Sequence, residues 1–294
     1  MSKVPMRRLA LVAALLVLAA ALTEWVAFGT LAAPVQRAIG PAPAELQARA
    51  VSFPSASGAE IHGWLCPGAG GHGAVLLLHG VRLDRTYMLS RAEFLHRLGF
   101  SVLLIDFQAT GESRGERITF GDLESRDVSA ALDYLHQMLP QERLGVIAVS
   151  VGAAAFVLAR DRPRVDAVVL ESMYPTLRQA IADRLRARFG AWAGALTPLV
   201  CWQFKRRLAI DPERLRPIDH IGHLEAPLLL VHGTRDEHTT LAEARAEFAA
   251  AAPPKEWWAV EGAAHSNFLD YAKQEYEQRV GGFLSRYLVR RPVT

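Results

Sequence analysis

The chain lacks the marks of several common protein classes. Its 294 residues include only two cysteines, Cys66 and Cys201, so at most one disulfide can form, and their separation in sequence does not say whether they meet in space. No Walker A sequence occurs, and the glycine spacing at 68–73 is followed by the apolar run AVLLL instead of the helix that a G-x-G-x-x-G dinucleotide fingerprint opens, so no organic cofactor is implied. Internal repeats and low-complexity segments are also absent, and 51% of the residues are apolar, enough for a large core covered on both sides.

Signals for nucleic acid or metal binding are equally weak. The formal net charge is +3, and no recognition motif accompanies it, which disfavours nucleic acid as a partner. His220 and His223 stand three positions apart, but the interposed Gly222 and the nearby Pro217 and Pro227 favour a loop. Two zinc ligands at these positions are therefore improbable, and we expect no metal ion.

One segment, LGVIAVSVG at residues 144–152, is more informative than these absences. Its β-forming residues lead directly into Ser150, and an alanine-rich helical pattern follows at once. This order is typical of a nucleophile elbow, where a sharp strand-to-helix turn exposes a serine Oγ at the end of a parallel sheet. Small residues are required two positions before and after the serine, and here they are Ala148 and Gly152. The usual motif is G-x-S-x-G, so Ala148 departs from it by one methyl group.

A serine nucleophile needs a base, and the base needs an orienting carboxylate. The apolar stretch PLLLVHGTRD presents Asp236 just after a strand, and KEWWAVEGAAH carries His265 in the loop after a later strand. Elbow enzymes have the chain order serine, acid, histidine, and open α/β sheets place their catalytic groups beyond the carboxyl ends of strands. The sequence therefore predicts a triad of Ser150, Asp236 and His265, with Glu171 at another strand end as the reserve acid.

Backbone donors for an oxyanion are expected near a third strand end. The buried stretch AVLLLHGV finishes at His79 and its glycine, and the loop that follows turns toward the elbow. We predict an oxyanion hole built from the backbone N–H groups of Val151 and Val81. His79 is interpreted as a residue that shapes this loop, because His265 already fills the role of the base. Asp106, at a further strand end, is expected to support loop structure.

Strand and helix patterns alternate along the whole chain. Near-continuous apolar runs are typical of parallel strands covered on both faces, and helical patterns at 123–139, 239–251 and 267–289 separate or follow them. The first two strands read as an antiparallel hairpin. The predicted fold class is α/β, a doubly wound and mostly parallel eight-stranded sheet with a helical cap insertion and an N-terminal hydrophobic helix. The predicted strands are 48–53, 60–66, 74–78, 101–106, 145–149, 167–171, 228–231 and 256–260.

These motifs together resemble the α/β-hydrolase superfamily, and within it the membrane-anchored or exported BEM46-like and serine aminopeptidase S33-like hydrolases. The stretches that carry the resemblance are LLLHGV, LLIDFQATGESRG, VIAVSVG, LLLVHGTRD and VEGAAHSNF. It covers roughly residues 45 to 290, nearly everything after the N-terminus. Besides Ala148, the chain departs at Gln108 and Ala109, where relatives often have Arg-Gly. The resemblance implies the α/β-hydrolase fold.

The segment 174–217 is unusually basic. It contains nine basic and three acidic residues and so carries a net charge of +6. It lies between two strands where α/β hydrolases usually insert a cap over the active site. Its helical pattern places apolar residues on one face, which suits an acyl substrate, while its arginines suit anionic lipid headgroups, acidic substrates or plain solvation. The apolar face consists of Leu177, Ile181, Leu185 and Phe189, and the other faces are predicted to carry Arg178, Arg184, Arg186 and Arg188.

The predicted organisation is thus a segment 1–35, a hydrolase core at 36–173 and 218–294, and a cap at 174–217. In the first segment, Lys3, Arg7 and Arg8 precede an apolar stretch that reaches about residue 33. A cleaved signal peptide and an uncleaved membrane anchor both fit, and we favour the anchor because the stretch exceeds a short signal core. The basic flank predicts a catalytic domain outside the cytoplasm, tethered to the membrane or, after cleavage, secreted or periplasmic.

The function that the sequence predicts is a serine hydrolase. The expected substrate is a small-molecule carboxylic ester or thioester with a hydrophobic acyl group, cleaved through an acyl-enzyme. Membrane contact is expected through the N-terminal helix and through the basic cap. Two alternatives stay open: a serine aminopeptidase of the S33 type, and a catalytically silent, membrane-tethered binding protein with the same fold.

Overall fold

The structure is a computed structural model that describes residues 29–265 and 267–290. The predicted N-terminal hydrophobic helix and most of the segment 1–35 lie outside these residues. In the two described stretches, no helix combines the length and the apolar character that crossing a bilayer would require.

A mostly parallel sheet of eight strands forms the centre of the fold. The described residues contain ten strands, of which β1 and β6 form a separate two-stranded sheet: β1 Val35–Gln36, β2 Arg49–Pro54, β3 Glu60–Cys66, β4 Ala74–Leu78, β5 Ser101–Ile105, β6 Thr110–Gly111, β7 Leu144–Val149, β8 Ala167–Glu171, β9 Leu228–Gly233 and β10 Lys255–Val260. The large sheet has the order β10-β9-β8-β7-β4-β5-β3-β2. β3 runs antiparallel to β2 and β5, and every other pair is parallel. All eight predicted strands are present, and the first two form the predicted hairpin.

Besides the helical residues 29–32, eight α-helices with both ends inside the described residues connect and cover these strands. They are α1 Leu89–Arg97, α2 Glu124–Met138, α3 Val151–Leu158, α4 Leu177–Phe189, α5 Thr197–Leu208, α6 Leu241–Ala250, α7 Phe268–Tyr271 and α8 Lys273–Leu288. The single helix predicted at 267–289 is interrupted at Ala272, where φ is −133° and ψ is 52°. The pair His220 and His223 lies in short 3₁₀ turns, in agreement with the predicted loop.

The two faces of the sheet pack into two apolar clusters, because alternate side chains of a strand point to opposite faces. Along β4, Leu76 and Leu78 join the cluster that includes α2, α3 and the cap helices α4 and α5. Val75 and Leu77 join the cluster formed with α1 and α8. Burial on both faces explains why these strands read as continuous apolar runs rather than as alternating ones. Cys66 and Cys201 are both buried and free.

Strand order brings distant parts of the chain to one edge. β7, β8, β9 and β10 are consecutive neighbours in the sheet and run in the same direction. Their carboxyl ends therefore lie side by side, and the loops that follow them share one rim. Ser150 follows β7, Asp236 follows β9 and His265 follows β10, so the fold places all three at this rim.

Candidate active site

Ser150 occupies a strained turn between β7 and α3. Its φ is 53° and its ψ is −115°, a backbone conformation that is costly for a residue with a side chain and that clusters at functional sites. The Ser150 N–H donates to the carbonyl of Glu171 at 2.8 Å, and the Ser150 carbonyl accepts from Ala154 N at 3.1 Å. The sheet on one side and the helix on the other thus hold the serine in place.

The spacing of small residues around Ser150 has a direct steric cause on one side of the turn. A Cβ added to Gly152 would lie 2.5 Å from the carbonyl oxygen of His79 and 2.9 Å from that of Leu78, closer than any real Cβ contact. Ala148, by contrast, already has a Cβ, and its methyl group is fully buried in the apolar cluster beneath α3. The elbow of this chain therefore accommodates alanine before the serine.

The structure brings together the three residues predicted to form a triad. The Nε2 atom of His265 lies 3.2 Å from the Oγ atom of Ser150, and its Nδ1 atom lies 2.7 Å from Oδ2 of Asp236. Because a carboxylate accepts and does not donate, the partners assign the proton to Nδ1 and leave Nε2 to accept from the serine hydroxyl. In this tautomer, His265 is oriented to remove the serine proton.

Asp236 is held as an ionised acceptor. Its side chain is fully buried, and its Oδ1 atom accepts from the backbone N–H groups of His238 at 2.8 Å and Thr239 at 3.0 Å. Burial acts to raise the pKa of Asp236. The interactions with His265 and the hydrogen bond from the Thr239 N–H favour the ionised carboxylate more strongly, so the pKa of Asp236 lies below its ordinary value. Asp236 is therefore charged at neutral pH and fixes the orientation of His265.

Two further histidines lie close to this carboxylate, and no role was predicted for either of them from the sequence. His232, fully buried in β9, lies 3.8 Å from Asp236 Oδ2 and donates from Nε2 to the carbonyl of Thr239 at 2.8 Å. Burial lowers its pKa, so it is neutral and supports the Asp236 loop. The ring of His238 lies 5.2 Å from that of His265. The only sequence signal for either was its closeness to Asp236.

The two N–H groups predicted to bind an oxyanion flank Ser150. Val151 is the first residue of α3, where a backbone N–H has no partner within the helix. The neighbouring loop is also close, since a Cβ added to Gly80 would stand 3.6 Å from Cβ of Ser150. Within the described residues, no hydrogen-bond acceptor contacts the N–H of Val151 or of Val81. Both donors are available to a ligand at the serine.

His79 holds the peptide that carries one of these donors. Its Nδ1 donates to the carbonyl of Gly80 at 2.8 Å, and its Nε2 accepts from Phe107 N at 3.2 Å. The Gly80 carbonyl and the Val81 N–H belong to the same planar peptide and point in opposite directions, so fixing the first also orients the second. Burial lowers the pKa of His79 to about 4, which keeps the ring neutral. His79 thus shapes the loop.

The other strand-end carboxylates are engaged elsewhere. Asp106 is fully buried and accepts from Arg85 and from the backbone of Glu112, which ties the loops after β4 and β5 together. Glu171, the reserve acid, accepts from Arg91 at 2.5 Å and from the hydroxyl of Tyr276 at 2.5 Å. That ion pair lies fully inside the protein. Glu171 is therefore not the partner of His265.

A cavity of about 340 Å³ lies between the elbow and the cap. Val81 and Val151 form part of its floor, so it opens onto the proposed oxyanion position. Its walls are almost entirely apolar or aromatic. They are formed by Leu31, Phe120, Tyr174, Leu177, Ala180, Ile181, Leu185, Phe189, Val200 and Phe204.

Arg184 and Arg188 also line this cavity, whereas the sequence analysis assigned all four arginines of α4 to faces other than the apolar one. Arg178 and Arg186 do lie toward solvent and pair with Glu213 and Asp183. The spacing held a signal: Arg184 follows Leu177 by seven residues, and this separation returns a helical residue to nearly the same face. The apolar stripe of α4 thus includes two cations.

Comparison with known proteins agrees with this architecture. The family profile described as serine aminopeptidase, S33, matches residues 70–212. The uncharacterized protein Rv2307c of Mycobacterium tuberculosis strain H37Rv is 32% identical over 241 residues, which cover 80% of this chain and 78% of that protein. The uncharacterized protein YqkD of Bacillus subtilis is 22% identical over 244 residues, which cover 82% of this chain and 80% of YqkD.

Solved structures extend the comparison to the fold. An esterase of Pyrococcus furiosus, Pf2001, superposes with a TM-score of 0.72 and 25% identity over 88% of this chain and 98% of its own. The chain belongs to the α/β-hydrolase superfamily. A second α/β hydrolase, GrgF from Penicillium sp. sh18, has a TM-score of 0.65 at 18% identity and covers 83% of this chain and 99% of its own, a likeness of fold alone.

Proposed function

We propose that this α/β hydrolase is a serine esterase that cleaves carboxylic esters, or thioesters, of apolar acids. The observation that carries the proposal is the continuous hydrogen-bonded chain from Ser150 Oγ through His265 to the buried Asp236. This is the geometric signature of an activated nucleophile, its base and the group that orients the base. Similarity to the Pyrococcus furiosus esterase supports the same reaction class.

The reaction follows from the positions of these groups. His265 takes the proton of Ser150, whose oxygen attacks the ester carbonyl, and the N–H groups of Val81 and Val151 stabilise the oxyanion. The imidazolium, held by Asp236, then protonates the leaving alcohol or thiol and the acyl-enzyme remains. Water enters, gives its proton to His265 and attacks the acyl carbonyl, so that the acid is released and Ser150 is restored.

An apolar acyl group is the part of the substrate that the cavity suits. Side chains such as Leu177, Ile181 and Phe204 can remove an acyl chain from water, at about 25 cal/mol per Å² of apolar surface. The peptidase alternative needs an acidic group that would bind the substrate's amino terminus. The residues that line the cavity in the described part of the chain include cations and no carboxylate, and this favours an esterase over an aminopeptidase.

Covalent labelling tests the proposal directly. We expect a fluorophosphonate probe to label the purified protein at one serine and Ser150→Ala to abolish both labelling and ester hydrolysis, because triad members act as a unit. Ser172→Ala is the matched control, since Ser172 is also a buried serine at a strand end and its hydroxyl has no hydrogen-bond partner among residues 29–265 and 267–290. Absence of labelling in folded protein would refute the proposal and favour a silent binding protein.

We also propose a membrane-associated, extracytoplasmic location, with a secreted or periplasmic form as the alternative if the segment 1–35 is cleaved. Support comes from the apolar N-terminal stretch and from the cap, where Trp192 and Trp202 are exposed at 68% and 53% beside basic residues. A protein that lacks residues 1–28 still contains every residue that the structure describes, and it is the protein to use in the vesicle assay. We expect it to float with anionic vesicles at low salt; binding that ignores lipid charge and salt would contradict a role for the basic cap.

A further inference from the structure

Arg184 is a partly buried cation in the wall of the cavity next to the elbow. It projects from α4 into the cavity whose floor carries Val81 and Val151. Burial lowers its pKa, and the interactions with Asp236 and Tyr174 oppose this only in part. Arginine nonetheless stays protonated in proteins, so the cavity contains a permanent positive charge.

No carboxylate in residues 29–265 or 267–290 forms an ion pair with Arg184. Three other cations of the cap do have such partners: Arg178 pairs with Glu213, Arg186 with Asp183 and Lys205 with Asp211. Asp236 acts on Arg184 only at longer range, because its oxygens are taken by His265 and by two backbone N–H groups. A charge that is partly withdrawn from water and has no carboxylate partner is open to a ligand that supplies the counter-charge.

The surroundings of Arg184 indicate which part of a substrate would meet it. Its charge acts on Asp236 and also, after burial, lowers the pKa of His238, whose ring lies beside His265. These electrostatic interactions indicate that Arg184 faces the part of the site that His238 and His265 occupy. His265 delivers its proton to the leaving group, so the alcohol portion of an ester lies on this side, while the apolar walls enclose the acyl portion.

We propose that Arg184 binds an anionic group on the leaving alcohol, so that the preferred substrates are esters of an apolar acid with an alcohol that bears a carboxylate or a phosphate. Both anions present coplanar or neighbouring oxygens that match the guanidinium's paired donors. The assignment rests on the proposed ester hydrolysis at Ser150 and makes Arg184 the residue that determines specificity for the alcohol.

Three hexanoyl esters that differ only in the alcohol test this assignment on the full chain. The alcohols are glycerol, which is neutral, hydroxyacetate, which carries a carboxylate, and glycerol 3-phosphate. For Arg184→Gln we expect kcat/KM to fall about 10- to 100-fold on the anionic esters, mainly through KM, because a charged hydrogen bond is lost. The neutral ester should change by less than about 3-fold. The anionic ester whose kcat/KM falls more in Arg184→Gln identifies the anion, phosphate or carboxylate, that Arg184 binds.

Two control variants separate this role from a structural one. Arg178→Gln removes an exposed arginine of the same helix whose pair with Glu213 is also exposed, and all three esters should be cleaved as by the wild type. Arg184→Lys keeps the charge without the paired donors and should retain part of the preference. An equal loss on neutral and anionic esters would overturn the assignment.

Failure of this assignment differs from failure of the esterase proposal. If Ser150 is labelled by the neutral fluorophosphonate and the wild type cleaves the neutral ester as well as the anionic ones, only the role of Arg184 is refuted. If neither labelling nor hydrolysis of any ester occurs in folded protein, both proposals fall together.

Discussion

The tight packing behind the nucleophile makes Gly152→Ala a sharp test of the elbow. The added methyl group would meet the carbonyl oxygens of His79 and Leu78 at 2.5 Å and 2.9 Å. Both are backbone atoms of β4 and its loop, so they cannot turn aside as a flexible side chain would. The start of α3 must move by several tenths of an ångström instead, and overpacking of this kind costs about 1–3 kcal/mol.

The displacement has a catalytic consequence because Val151 begins the same helix. Moving its N–H away from the oxyanion position should lower kcat by about 10²–10³, the usual effect of losing one such donor. We would measure kcat on a hexanoyl ester and the midpoint of thermal unfolding in parallel. Gly152→Ala should lower kcat far more than its loss of stability explains, since most molecules remain folded at the assay temperature.

Ala148→Gly is the matched control on the other side of Ser150. It restores the usual elbow glycine, removes one buried methyl group from β7 and should cost about 0.5–1 kcal/mol through strand entropy, with kcat unchanged. Gly152→Ala protein with wild-type kcat would refute the argument that the contact at Gly152 holds the Val151 N–H at the oxyanion position.

Two further predictions concern buried charges away from the serine. Glu247 is fully buried without a hydrogen-bond partner among the described residues, and burial raises its pKa well above the ordinary value. Above the pKa of about 4.3 that Glu247 has in the unfolded chain, the unfolded chain loses the carboxyl proton of Glu247 and the folded protein keeps it. The free energy of unfolding therefore falls by about 1.4 kcal/mol per pH unit until the pKa of Glu247 in the folded protein is reached. Denaturant titrations should therefore show Glu247→Gln increasingly more stable than wild type from pH 5 to pH 8, while exposed Glu93→Gln shows no trend; a pH-independent difference would contradict this. For Arg91→Met we expect a loss of about 3–5 kcal/mol, because Glu171 is left buried and unpaired, and Arg91→Met combined with Glu171→Gln should recover part of it; additive losses would argue against the pair.

Local pattern was sufficient for the framework of this protein. Continuous apolar runs marked six of the eight strands of the large sheet, and a hairpin pattern marked the other two. The residues at the strand ends carried Ser150, Asp236 and His265 in the order that an elbow enzyme requires. Parallel strands place their carboxyl ends on one rim, so residues at the ends of separate strands could be predicted to lie together in one site. The boundaries differ by one or two residues, and the break at Ala272 had no sequence signal.

Contacts between residues far apart in the chain could not be predicted from local sequence pattern. Glu171 is unavailable as a triad acid because Arg91, eighty residues away, occupies it. Arg184 lines the active-site cavity because of how α4 docks on the core, although a helical pattern shows only which residues share a face. The sequence by itself determined the elbow and the strands that carry the triad, since both depend on neighbouring residues; the tertiary structure alone decided which charges are buried, which are paired and which face the substrate.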